Sequence, residues 1–356
     1  MRQTNKIRKG IAWLLCTVLV LGILPMLPQM SMQISAAENA ASVFVDGVEL
    51  HAGGKKYFKN GDTADSGATG TDEDHSAYYD TAGELWLNNL KAHTIKADGN
   101  LTIYVCNNQA TNTNIVTATQ NETAIEVTGY LTIQYGGYGE TGSLTVESDG
   151  KEAIQAGSGM TVSDGVEVKA RAKSGATAIS SGGVLKIDGI RTKLEAAGDG
   201  STGKGIFAQQ SIYVKNSAVL TAFGGAAAYE SPSGIDKSGY GYEDYNVFTG
   251  DAAPGTQAAK DTVLDGYKYI RIEPTGVANV KTLTELQAAA QNQYISLINV
   301  MNDITITDTV YVRRAVTIQS PDASNVSKLI RGKSHTDVIL DFDGANGHKS
   351  DVVTLK

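Results

Sequence analysis

Cysteine is almost absent: the 356-residue chain has two, Cys16 and Cys106. Cys16 lies in a stretch that reads as a removable leader, so no internal disulfide is possible in the remainder, and packing and ladder hydrogen bonds must supply the stability. Cys106 closes the apolar run IYVC, where a small strand-end side chain is a simpler reading than a reactive thiol. Histidine is also sparse: five residues, none at i, i+4 or beside another ligand type in a helix, argue against a zinc site. Basic charge is in deficit, with 30 Lys and Arg against 38 Asp and Glu, a net of −8. That balance argues against nucleic acid and anionic membrane surfaces as partners. Proline is scarce at six, while glycine reaches 39 and the aromatics are mostly Tyr. Val, Ile, Leu and Thr strands alternate with Gly, Asp, Ser and Asn turns.

The N-terminus carries Arg2, Lys6, Arg8 and Lys9, then an apolar stretch from Ile11 to Leu27 broken by Gly22 and Pro25. Ser35 and Ala37 suit the −3 and −1 positions of a cleavage site, so residues 1–37 read as a secretory signal peptide. The alternative is an uncleaved anchor, because the apolar run approaches spanning length. A lipoprotein signal is discarded, since Leu14 and Leu15 precede Cys16 where small residues are needed. Cleavage would leave 26 basic against 38 acidic residues, a net of −12, and no membrane span. The expected location is secreted or cell-wall associated.

What the chain does have is a motif met five times: a small residue, Ile, five variable residues, then apolar-x-apolar. It runs Thr94-Ile95 to Leu101 and Ile103, Ala124-Ile125 to Leu131 and Ile133, and Ala153-Ile154 to Met160 and Val162. Ala178-Ile179 to Leu185 and Ile187, and Gly205-Ile206 to Ile212 and Val214, complete the set. The offset from Ile to the next apolar position is six each time, and successive copies lie 30, 29, 25 and 27 residues apart. Such a period marks stacked units that bury their apolar faces against one another. Between copies, period-two alternation places Val168/Ala170 and Leu220/Ala222 inward as second pairs. Two to three short strands per copy predict an all-β fold, a right-handed parallel β-helix. Its stacked Ile and Leu ladders are worth about 1.5–3 kcal/mol per buried side chain.

Four regions follow: signal peptide 1–37, an N-terminal β cap over 38–92, the β-helix repeats over 93–275, and a second β-helix over 276–356. The cap contains SVFVDGVEL and AYYDTAGELWLNNLK and a polar loop from Asp62 to Asp74. Insertions after Cys106 and at Tyr135 to Gly139 lengthen the first two copies. The pattern breaks at 229–266, and Pro274-Thr275-Gly276 reads as a linker. TLTELQAAAQNQ is a helix, capped by Thr282 or Thr284, that opens the second β-helix. Short strands follow to the end, where the chain stops inside a strand and reads as a fragment.

VFVDGVEL, YYDTAGELWLNN, DGNLTIYV and the repeated AI…LTI units resemble the β-helical, carbohydrate-binding-like repeats of secreted surface proteins of Gram-positive anaerobes. Residues 280–356, with TLTELQAAA, DITITDTVYVRRAVTIQS and LIRG, resemble the start of a pectin-lyase-like β-helix. The latter family includes polysaccharide lyases, glycosidases and non-enzymatic adhesins, so the fold does not imply catalysis.

A lyase needs clustered outward carboxylates that hold Ca²⁺ and a nearby basic side chain. The outward row between the inward pairs is instead Thr102, Thr132, Thr161, Lys186 and Tyr213, and Arg313-Arg314 lie on an early coil of the second unit. A hydrolase needs two carboxylates facing across a cleft, and no Asp or Glu pair stands out from ordinary turn chemistry. The segment from Gly198 to Lys204 resembles a phosphate loop but has Gly205 where Ser or Thr would meet Mg²⁺, so it reads as a turn. Asp62, Asp65, Asp72 and Asp74 are a weak Ca²⁺ candidate against a plain solvated loop. No other cofactor is expected.

The best recognition candidate is the Tyr-rich stretch, in which Tyr240, Tyr242 and Tyr245 offer ring faces and Glu243 and Asp244 offer acceptors. The competing reading packs these rings over the barrel end as a plug. The sequence thus predicts an exported, non-catalytic adhesion module contacting neutral glycans or other cell-wall or host surface polymers. The alternatives are an N-terminal fragment of a polysaccharide-degrading enzyme and a structural stalk.

Overall fold

The computed structural model describes residues 39–355 apart from 52–55, 62–74, 107–112, 120, 138–141, 238–242, 293, 313–314, 322–323, 325, 338 and 342–352. The signal-like segment therefore lies outside the described residues. The described residues form a nearly all-β parallel solenoid of about 9 turns with one short helix, as the repeat predicts. No helix among the described residues is long and apolar enough to cross a membrane.

Three sheets run along the solenoid because each repeat turns at three places. On the first sheet Ile95, Ile125, Ile154, Ile179 and Ile206 lie in parallel register, all fully buried. On the second, Leu101, Leu131, Met160, Leu185 and Ile212 do the same. On the third, Val116, Val146, Ala170, Ala196 and Ala222 stack in turn. The period-two pleat forces the intervening side chains outward. The row Thr102, Thr132, Thr161, Lys186 and Tyr213 is accordingly in register and partly exposed.

One inward position is polar. Asn114 lies opposite Leu144 and is fully buried. Its Oδ1 accepts from the Leu90 amide at 3.0 Å and its Nδ2 donates to the Cys106 and Ser143 carbonyls. These bonds offset the cost of burying an amide.

The array extends past the expected break. Ala228-Tyr229 to Ile235 is a sixth copy with the same offset of six, Tyr229 pairing with Ile206 and Ile235 with Ile212. At the other end, Glu84–Asn88 joins the second sheet in parallel to Leu101–Cys106, while Ser42–Val45 pairs antiparallel with Ile95–Ala97 and with Val48–His51, the last strand of the first sheet. Pairing these edges is how a solenoid avoids open strand backbone.

The expected linker at Pro274-Thr275-Gly276 is instead the middle of a twelve-residue strand, Tyr269–Val280. Its first part pairs antiparallel with Val219–Gly224, and its last part pairs parallel with Leu297–Val300. The hairpin strand Glu243–Gly250 runs antiparallel beside it, and Thr275 Oγ1 donates to the Asp244 carbonyl at 3.1 Å. These partners carry the strand through a proline that lacks an amide donor. One apolar core runs from Ala40 to Ile272 and a second from Ala278 to Ile318. Helix α1 (Leu283–Gln291) covers the second, with Thr282 and Glu285 forming a capping box.

Candidate functional site

A groove of about 680 Å³ lies on the outward face of the third sheet. Its floor comes from the alternation in SLTVESD, EVKARAK, KLEAAG and VLTAFG, whose apolar residues face the core. One outward row is Thr145, Lys169, Glu195, Thr221 and Arg271. The next is Glu147, Arg171, Ala197, Phe223 and Tyr269. Adjacent rungs are about 4.8 Å apart, so residues in register touch across strands.

Charge on this floor is largely matched pair by pair. Arg171 donates through Nε at 2.9 Å and Nη2 at 2.6 Å to Asp199 Oδ2. Lys169 sits 3.1 Å from Glu167, which also lies 3.9 Å from Lys193, and Lys173 is 3.4 Å from Glu147. Arg271 pairs with Glu273. The hydrogen bond to Glu167 raises the Lys169 pKa, and that to Asp199 raises Arg171, so both bases stay charged. Each such exposed pair contributes only about 0–1 kcal/mol. Glu195 makes no hydrogen bond and no ion pair within 4.0 Å among the described residues.

One end of the groove is walled by Phe223, by Tyr269 and by Ala253 in the hairpin turn. Tyr269 is buried, which pushes its phenol pKa upward. Gly255 makes the close approach possible: it has φ +69°, and a Cβ there would meet the Tyr269 ring at 2.8 Å.

Those sequence candidates that are among the described residues fall elsewhere. Tyr240 and Tyr242 lie outside the described residues. Glu243 opens the hairpin strand opposite Ala278. Asp244 pairs with Lys260. Tyr245 is 3% exposed, and its hydroxyl accepts from the Ser217 amide at 3.3 Å, so its ring packs into the core. The Ca²⁺ candidates Asp62, Asp65, Asp72 and Asp74, and Arg313-Arg314, also lie outside the described residues. Among the described residues no three His, Cys, Asp or Glu side chains gather as a metal site. The segment from Gly198 to Lys204 is a turn whose Asp199 serves Arg171. Cys106 is buried at a strand end, and burial pushes its thiol up to about 11.

Sequence reasoning missed Lys169, Arg171, Glu195 and Phe223. The alternation in VKARAK, KLEAAG and LTAFG marks them as outward, but which of them meet depends on strand register.

Residues 277–354 match the model of a family described as a pectate lyase-like adhesive domain. No curated protein matches the chain, and no solved structure does. The matched stretch is the second core with α1 and its strands, while the groove lies in the first array.

Proposed function

We propose that the chain is an exported adhesion module, secreted or held at the cell surface, that contacts glycans through the third-sheet groove without cleaving them. The pairing pattern of the floor carries this reading. Glycoside hydrolysis needs two carboxylates placed across a cleft as acid and base or nucleophile, and a lyase needs a basic side chain free to take a proton. Here Glu147, Glu167, Asp199 and Glu273 lie side by side with Lys173, Lys169, Arg171 and Arg271 and are tied to them. A rigid polar floor of this kind suits reversible hydrogen bonding to a hydroxyl-rich polymer. The similarity of residues 277–354 to an adhesive domain agrees with it, and so does the secretory pattern of residues 1–37.

A glycan array read beside assays for reducing ends and unsaturated products on pectins tests the proposal. Array signal without product is expected. Product from any polysaccharide would favour the enzyme reading, and silence in both assays would favour the stalk.

A further inference from the structure

The groove floor has one gap and, beside it, one carboxylate without a hydrogen bond or close ion pair among the described residues. In the second outward row Ala197 stands in register between Arg171 and Phe223. A methyl group between two long side chains leaves a notch roughly 10 Å wide, two strand spacings. Glu195, exposed two residues back on the same strand, projects to the same face at the notch. Its in-register neighbours are Thr221 and Lys169, whose ammonium sits 3.1 Å from Glu167 and feels Glu195 only as a weaker, longer-range charge. Arg171 on the far wall is neutralised by two donations to Asp199 Oδ2, and Arg271 is paired with Glu273. Glu195 is therefore the carboxylate in the groove with unspent acceptor capacity among the described residues, and the Phe223 ring flanks the same gap.

A carboxylate next to an aromatic ring, over a floor too small to fill the space, is a receptor for a primary ammonium group. The carboxylate accepts charge-assisted hydrogen bonds and the ring contributes a cation–π contact. A polyuronate meets the opposite situation: every base on the floor is already matched, and each added carboxylate approaches Glu195. Resting on the glycan reading above, we infer that the groove selects an amino-bearing glycan, one hexosamine ammonium seated over Ala197 against Glu195 and Phe223, and rejects polyuronates.

Calorimetric titration with three probes of equal length tests this: a fully deacetylated chito-oligosaccharide, its N-acetylated form, and an oligogalacturonate. The deacetylated probe is expected to bind about tenfold tighter than the acetylated one, with the oligogalacturonate weakest. Glu195→Gln is expected to remove that preference, the deacetylated probe then binding no tighter than the acetylated one. Ala197→Leu, which fills the notch, is expected to weaken both, and unchanged melting curves show that both variants fold. If the acetylated probe binds and the deacetylated one gains nothing, or if Glu195→Gln keeps the preference, the amine assignment falls and the glycan groove stands. Tighter binding of oligogalacturonate also overturns the assignment. Failure of every oligosaccharide to bind overturns the glycan reading itself.

Discussion

The side-chain amide of Asn292 donates through Nδ2 to the Ser217 hydroxyl at 2.8 Å, across 75 residues of sequence. Asn292 caps the end of α1 over the second core, and Ser217 lies in the turn just before Val219–Gly224 on the first array's third sheet. Both are buried. Ser217 also donates its amide to the Tyr245 hydroxyl at 3.3 Å, so one small polar cluster ties helix, coil and hairpin together. Asn292→Ala removes the buried donor and is expected to cost about 1–3 kcal/mol. Thermal denaturation should show it as a lower melting temperature. An unchanged curve would mean that the cluster does not couple these elements.

Tyr245 packs as a core side chain, although it sits in a stretch whose composition suggests recognition. Tyr245→Ala is expected to cost about 3 kcal/mol or more, as large-to-small core changes do, and Tyr245→Phe about 1 kcal/mol for the lost hydrogen bond. Denaturant titration of the two variants checks the order. Equal and negligible losses would place the ring outside the core.

Inward and outward ladders should respond differently. Ile179 lies fully buried opposite Ile154 and Ile206, so Ile179→Asp buries an unpaired carboxylate and should cost several kcal/mol or prevent folding. Lys186 is partly exposed and pairs with Asp188 at 2.5 Å. Lys186→Ala should therefore cost under about 1 kcal/mol. Comparable melting shifts would contradict the ladder assignment.

Burial raises the Cys106 thiol from 9.0 to about 11. The folded chain holds that proton more tightly than the unfolded one, so the contribution is whole below about pH 9 and is lost as pH rises toward 11. Wild type should lose more stability than Cys106→Ala between those values, measured by denaturant titration at each pH. Parallel losses would mean that the thiol is not held protonated by the fold.

How much of this was legible depended on whether local pattern or distant pairing decided each element. The Ile ladder was readable because its offset of six survives changes in turn length. The sixth copy was hidden because Tyr229 replaces Ile, though it fills the same slot. Asn114 was hidden because a polar residue occupies an inward position, satisfied by bonds to Leu90, Cys106 and Ser143 that no local pattern shows. Pro274 and Gly276 carry genuine turn signals, overridden by pairing with Glu243–Gly250. The groove's outward residues were readable from alternation. Which of them meet, and which carboxylate is left over, depends on inter-strand register that spacing alone does not fix.

If the third-sheet groove is the contact surface, one substitution that fills its floor should abolish binding. Thr221 is outward and in register between Glu195 and Arg271, so Thr221→Trp fills the groove without touching the core. Wild type and variant compared on one glycan array, with melting temperatures within about 2 °C of each other, should show the wild-type signals vanish in the variant. An unchanged array profile for Thr221→Trp would mean that glycans are held elsewhere.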